Sequence, residues 1–392
     1  MLPASSEFLQ AMNSPTKRMH IKLELYDNKM NYLKEVTLQT TRESLGEISI
    51  DADRPVRRSF TFSLLNDKQL YNWGEENLIW IDKRVILYIG LEDFKGEIHY
   101  VQQGVFVVSE PEDSNNMSGR IANITGFDKA FLMTDKRGKF INETTLEVGA
   151  NIGTAIRIIA QGVGETMFNF DTIDKTIPYE ITYQSSDNRW NAIEELALLA
   201  ECDVYYDVYG YLRLKKIDLN QFENEPIVWS YKFGDRNERY YSGNVRKMDE
   251  SELANYIRVL AGSGQTAEAR FDLVVDETDP LWEDSPYSIQ KIGTVLYEHN
   301  NGSPDSVLET EDECKWRAKF ELMKRLGFTE RLEMNISPNF LHDANDIIEI
   351  EDPVNDVSGK YLLDSFSIPL TPSLMTLNCK KYRKVIDDWD FI

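Results

Sequence analysis

The stretch from Ser185 to Lys215 is the most fully specified piece of local structure in the chain, because it changes hydrophobic period partway along. Ser186 or Asp187 can accept a hydrogen bond from the free N–H groups of a first helical turn. Trp190, Ile193, Leu196, Ala197 and Ala200 then recur at helical spacing, which predicts an amphipathic helix with a Trp anchor. After Cys202 the period becomes two: Val204 and Tyr206 share one face, with Tyr205 on the other. Asp207-Val208-Tyr209-Gly210 turns the chain into Tyr211 to Leu214, and Gly210 supplies the positive φ of a tight turn. A helix packed on a short antiparallel hairpin is expected.

The chain on either side is mostly strand. Ile21, Leu23 and Leu25 alternate with charged neighbours; Leu33, Val36 and Leu38 form a second strand. Ile48 and Ile50 lead through Asp51-Ala52-Asp53-Arg54-Pro55 into a strand over Arg58 to Leu64, with Pro55 helping to fix the turn. Val85, Leu87 and Ile89 follow, then Gly104 to Val108. A loop rich in turn formers is predicted over Glu110 to Asn116, before a strand over Ile121 to Ile124. Everything up to about Asp128 reads as one antiparallel β-domain. Between Gly149 and Gly164, Ile152, Ala155, Ile156, Ile159 and Ala160 lie on one helical face, so this segment joins the Trp190 helix in a small α+β domain.

A second β-rich region begins near Pro226, with Asn255 to Leu260 as its clearest early strand and Ala261 to Asp305 as an excursion. Thr310 and Glu313 form a capping box ahead of Trp316, Phe320 and Met323, and Gly327 stops that helix. The last segment repeats an earlier order. Asp346 to Ile350, Gly359 to Leu363, then Met375, Leu377 and Cys379 before Lys384 follow the succession of Asp82 to Val85, Gly104 to Val108, and Ile121 to Lys129. Both place Gly before an aromatic-containing strand and follow it with a Pro-bearing loop, at Pro111 in one and at Pro369 and Pro372 in the other. Two related β-domains are inferred.

The sequence therefore predicts a β-rich α+β chain of 392 residues. Its expected divisions are an extension over 1–18, a first β-domain over 19–135, an α+β domain over 136–232, and a second β-domain over 233–392 with an excursion at about 262–309. Lys+Arg number 43 against 66 Asp+Glu, a formal net charge of -23, so the surface repels phosphate backbones and anionic lipid headgroups. Stable nucleic-acid binding is not expected, although a surface that DNA slides past would suit this sign; solubility of a large assembly component is the plainer reason for it. Cys202, Cys314 and Cys379 are isolated, fitting neither a disulfide framework nor a zinc site, and are expected to be buried thiols of a reducing cytoplasm. Neither a signal-peptide core nor a run of about 18 apolar residues is found, so secretion by the general route and membrane spanning are not expected.

Chemistry is sparse. His20, His99, His299 and His342 are scattered without a second ligand at helical or strand spacing, and no G-x-S-x-G or phosphate-binding glycine loop occurs. Glu194 and Glu195 are neighbours on a helix, point about 100° apart, and read as a solvated face rather than a glycosidase pair. The loops Glu351 to Asp356 and Asp276 to Asp284 lack the calcium-loop pattern and read as polar turns. Tyr205, Tyr209 and Tyr211 read as packing or interface residues rather than a sugar platform. No catalytic, cofactor-binding or metal residue is assigned.

The helix-and-hairpin stretch, with Trp190, Ile193 to Ala197, Tyr206, Asp207, Gly210 and Leu212, fits the pattern W-x-x-I-E-E-L-A followed by Y-D-x-x-G-x-L. Around it, in order from about Met19 to Lys384, stand RPVRRSF, GVFVVSEP, VGANIGTAI, NYIRV, KWRAKFELM and GKYLLDSFSIPL. Together these resemble the baseplate hub proteins of bacteriophage tails and phage-tail-like particles. The resemblance implies two tail-tube-like antiparallel β-barrel domains and a non-enzymatic homotrimer at the distal end of the tail tube, assembled in the host cytoplasm. It implies a tail tube protein or distal ring above, and a spike, fibre or tail lysin below. Because some hubs carry a fused cell-wall-degrading domain, an end at Ile392 leads us to expect lytic activity from another subunit. A tail-tip protein of a non-contractile tail is the alternative within this class, and a cell-wall glycan-degrading enzyme the alternative outside it.

Overall fold

The computed structural model describes the chain apart from residues 15, 40–44, 67–71, 117–118, 221–224, 235–239, 263–265, 372 and 387–388. The predicted Pro372 thus lies outside the described residues. After an N-terminal helix, Ser6–Asn13, come seven strands: β1 (Met19–Tyr26), β2 (Tyr32–Gln39), β3 (Gly46–Asp51), β4 (Arg58–Leu65), β5 (Arg84–Glu92), β6 (Ile98–Asn116) and β7 (Gly119–Phe127). They lie in the order β3-β4-β7-β6-β5-β1-β2, every pair antiparallel. The period-two residues Ile21, Leu23, Leu25, Val85, Leu87 and Ile89 are buried as their alternation requires. In β2 Val36 is buried, whereas Leu33 is exposed; the side chain of Leu38 lies outside what the structure describes.

The loop expected over Glu110 to Asn116 is instead the second half of β6. Its turn-forming composition marks a β-bulge: the register with β7 slips between Ser109 and Glu112, with Glu110 at φ 42°. Pro111, which has no N–H to offer a ladder, sits within the slip. Strand β6 thereby changes partners, pairing with β5 through Val107 and with β7 from Val107 onward. Where it crosses, Phe106 meets the Phe60 ring edge-on at 4.8 Å. A Cβ on Gly126 would lie 2.2 Å from that Phe60 ring, which explains the glycine there.

The middle of the chain holds β8 (Thr144–Leu146), β9 (Phe168–Phe170), β10 (Ile181–Tyr183), β11 (Cys202–Tyr206) and β12 (Leu212–Lys216), with helices Ile152–Gln161 and Arg189–Leu199. The second helix is capped by Asn188, which accepts from the Trp190 N–H at 2.9 Å, and not by Ser186 or Asp187. Asp187 is occupied one turn earlier, accepting the Gln184 N–H at 2.7 Å. The hairpin β11–β12 forms as predicted; Gly210 has φ 80°, and the Asp207 carboxylate takes the N–H groups of Tyr209 and Tyr211. Its edge gains a parallel partner in β9.

The remaining strands are β13 (Trp229–Lys232), β14 (Tyr240–Met248), β15 (Tyr256–Ala261), β16 (Ala269–Val274), β17 (Leu296–Glu298), β18 (Glu330–Ile336), β19 (Ile347–Asp352), β20 (Val357–Pro369) and β21 (Met375–Lys381). Six of them run β14-β18-β21-β20-β19-β13, and β20 also pairs with β3, giving one thirteen-stranded sheet. The expectation that Asn255 to Leu260 belongs to this β-region is corrected. Strand β15 pairs with β16 and β17 in a separate sheet, against the helix Glu311–Leu326. Alternation establishes that a segment is a strand and leaves its partner open. That helix begins at the predicted Thr310–Glu313 capping box and ends at Gly327.

Among the described residues two large apolar cores result, beside a small cluster of Phe328, Ile347 and Leu362. One lies within the large sheet; the other gathers Trp190, Ile193 and Ile156 with Ile257, Val259, Leu322 and Trp389. The three cysteines are buried free thiols. Among the described residues no helix is long and apolar enough to cross a membrane. Trp190 is 1% exposed, and truncating a buried Trp costs about 3–5 kcal/mol. Trp190→Ala is therefore expected to lose that much in urea unfolding and to accumulate as poorly soluble protein; a midpoint equal to wild type would show that the helix does not anchor the second core.

Candidate assembly interface

The strongest organised surface is the junction between the two halves of the large sheet. Strand order and chain order agree between them: β3-β4-β7-β6-β5-β1 against β14-β18-β21-β20-β19-β13. The Val108 N–H donates to the Lys83 carbonyl at 3.1 Å, and the Leu363 N–H donates to the Asp346 carbonyl at 2.9 Å. This equates Val108 with Leu363 and hence Gly104 with Gly359, the glycine pairing that the sequence predicted. The prolines do not coincide: Pro111 lies in the bulge, while Pro369 ends β20. Nor is the match complete, since β1 meets β5 antiparallel whereas β13 meets β19 parallel, and β2 has no counterpart. The second half carries its insertion, β15 through the helix Glu311–Leu326, between β14 and β18, where the first half has only the turn from Asp51 to Arg58.

The halves join where Ser365–Pro369 of β20 runs antiparallel to Glu47–Asp51 of β3. Ile48, Ile50, Phe366 and Ile368 are buried there. Lys380, from β21, bridges Asp53 and Asp364 across the seam. The adjacent arginines of the RPVRRSF segment point to different neighbours. Arg57 reaches Asp203 of β11 at 2.8 Å and stacks 4.5 Å from the Tyr205 ring. Arg58, 3% exposed, donates to the Gln103 carbonyl at 3.1 Å and pairs with Asp343. Gln103 in turn donates to the Phe340 carbonyl at 3.0 Å. Tyr205 is thus a packing residue, as the sequence predicts, whereas Tyr209 and Tyr211 remain exposed.

Asp128, at the end of β7, accepts the Arg58 N–H on one carboxylate oxygen and the Ala130 N–H on the other. Burial pushes its pKa up to about 6 despite these two donors and the nearby Arg58 charge.

The histidines each meet a carboxylate: His20 with Glu92 at 3.4 Å, His99 with Asp93 at 3.3 Å, His299 with Asp305 at 2.7 Å, and His342 with Asp346 at 3.4 Å. His342 also meets the Tyr231 hydroxyl at 2.7 Å, but it is wholly buried and offers no face to a substrate. Glu194 accepts from the Trp190 indole at 2.6 Å and Glu195 from the Tyr183 hydroxyl at 3.0 Å, and burial raises the pKa of Glu195. Glu194 is exposed as expected; Glu195 is half-buried. The acidic loops are turns, with Asp352 accepting the Val354 N–H and Asp276 the Thr278 N–H. One grouping escaped the sequence reading, Asp93, Glu97 and His99 about the Gly96 turn, with donor atoms within 4.8 Å of one another. The D-x-x-x-E-x-H spacing across a hairpin was its signal. Asp93 closes that turn by accepting the Lys95 and Glu97 N–H groups.

No protein-family model matches the chain, and no curated protein matches it in sequence. Among solved structures it is similar to a tail protein of Neisseria meningitidis, at 13% identity over 92% of this chain and 96% of that one, with a TM-score of 0.63. This chain has the fold of phage tail proteins. The 43 kDa tail protein of prophage MuSo2 of Shewanella oneidensis matches at 12% identity, 93% and 98% coverage and a TM-score of 0.61. A prophage tail protein of Listeria monocytogenes gives 11%, 93% and 95%, and 0.54. The likeness to phage tails read from the sequence thus has its counterpart in the fold.

Asp128 provides a test of the junction's chemistry. A carboxyl whose pKa is raised by folding favours the folded state below its unfolded value, and that contribution fades as pH rises through the folded value. From pH 4 to pH 7 the stability of Asp128→Asn should therefore gain on wild type by an amount on the order of 3 kcal/mol. A difference independent of pH would mean that Asp128 titrates as an ordinary carboxyl.

Proposed function

We propose that the chain is the structural hub of a phage tail or phage-tail-like particle, a trimeric adaptor that joins a hexameric tail tube to the spike or tail-tip complex below it. The observation that carries this reading is the repeated strand order. A tube built from six-membered rings and a three-fold spike need a component with six equivalent contacts on one face and three on the other. Three copies of a chain holding two alike β-units supply them when they close into a ring. In this reading the two halves of the large sheet are tube modules whose barrels are completed by neighbours. The chain divides at about 135 and, a few residues before the expected 232, ahead of β13, with the insertion after β14 carried beside the middle unit outside the annulus. The phage tail fold of its structural neighbours supports a place in the virion tail, assembled in the host cytoplasm, and a role that is not enzymatic.

The net charge of -23 fits a channel that DNA passes without sticking, since like charge repels the duplex. Carboxylates are accordingly expected to face the ring axis, and an image of the ring with a neutral or basic lumen would leave solubility as the reason for the charge. A tail-tip protein of a non-contractile tail would use the same annulus. The function is tested by the mass of the purified protein in solution, a muralytic assay and labelled particles. A trimer without lytic activity, located where tube meets tip, is the expected result; a monomer that clears cell walls overturns it.

A further inference from the structure

The seam between β20 and β3 uses one edge from each half, so two equivalent edges remain. Among the described residues, strand β14 ends the sheet and pairs only with β18. Beyond the bulge in β6, the edge away from β7 pairs with no strand among the described residues, because the pairing of β5 with β6 ends at Arg84 opposite Val107. The matching edge of β20 is the one that β3 occupies. Each half therefore presents what the other half has already joined.

The internal repeat fixes the register of the unused pair. Val108 matches Leu363, so β6 residues correspond to β20 residues numbered 255 higher, the difference between those two positions. Phe60 and Leu332 lie opposite Gly126 and Cys379, which match as partners of Val108 and Leu363. Ile48 and Arg246 lie opposite Phe60 and Leu332, so Ile48 corresponds to Arg246. The observed pairs Ser367 with Ser49, Ile368 with Ile48, and Pro369 with Glu47 then become Glu112 with Lys247, Asp113 with Arg246, and Ser114 with Val245. Two opposite-charge pairs fall directly across from one another, in a register derived without reference to charge. At the end of the run Glu110 faces Asp249, which is already held by Arg331. Arg246 and Lys247 are exposed, as are Val245 at 59% and Met248 at 55%. An exposed edge strand is a template for pairing with another chain, and its charges limit which chain that is.

We propose that β14 of one copy adds antiparallel to the second half of β6 in the next copy, with Lys247 on Glu112 and Arg246 on Asp113. Arg246 now pairs with Glu330, and Asp113 with Arg120, so both charges exchange or share partners on assembly. Each copy offers one edge of each kind, so the contact is heterologous, and in the hub reading it closes as a ring. The number of copies in that ring, three, rests on the hub reading; the identity of the edges does not.

The test uses the full chain with Ser114→Cys and Val245→Cys, joined by oxidation or a short dithiol reagent; the native thiols are buried. A chain carrying both substitutions should give covalent ladders ending in a closed ring, and a mixture of the two single variants should give linked dimers. Lys247→Glu should weaken association by about tenfold, and adding Glu112→Lys should restore it. An oligomer that forms without this cross-link overturns the edge pairing and leaves the hub reading standing. A protein that stays monomeric at every concentration and inside assembled particles overturns both.

Discussion

The antiparallel contact between β20 and β3 is the constraint on which the rest of the structure depends, because it turns two sheets into one. Without it each half would leave an open edge inside the molecule. The contact is apolar along its strands, with Ile48, Ile50, Phe366 and Ile368 buried, and polar at its margins, where Arg58 and Lys380 tie one half to acidic groups of the other. Burying a guanidinium is costly unless its donors are met, and Arg58 is held by Asp343 and the Gln103 carbonyl. Such pairs add little net stability and fix orientation instead. Exchanging Arg58 for an apolar residue would leave Asp343 with one partner fewer and the relative placement of the halves less determined.

The same segment sets the middle of the chain. Arg57 immediately precedes β4 and Arg58 begins it, and the two side chains reach different neighbours. Arg57 reaches β11 of the helix-and-hairpin region, while Arg58 reaches the second half of the sheet. Two neighbouring residues thereby locate three parts of the chain relative to one another. The second core then extends from the Trp190 helix to β15 and the helix Glu311–Leu326, binding the insertion to the middle unit rather than to the sheet that it interrupts.

What was legible in the sequence was whatever local physics decides. The Trp190 helix, the Gly210 turn, the Thr310–Glu313 capping box and the alternation of β1 and β5 depend on residues within a few positions of one another. The misreadings have a common cause. Glu110 to Asn116 has loop composition, but a bulge accommodates the same residues and the strand continues beyond it. Asn255 to Leu260 is a strand whose partner lies in the insertion, and pairing is not encoded by period. The helix cap moved to Asn188 because Asp187 was already engaged by the preceding turn. The seam itself could not be read, because Ile48 and Phe366 lie more than three hundred residues apart and each looks like an ordinary core position.

The contrast between the used and unused edges follows from when each must form. The β20–β3 seam is intramolecular and is made as the chain folds, so its strands can be hydrophobic without exposing a sticky edge. The edges of β6 and β14 meet water, and at the positions where the seam has Ser367 with Ser49 and Ile368 with Ile48 they carry Glu112 with Lys247 and Asp113 with Arg246. Charge on an edge suppresses indiscriminate strand addition, while opposite charge on a matching edge selects one partner and one register. The two alike β-units thus carry two versions of one edge pair, one apolar and joined within the chain, the other charged and exposed.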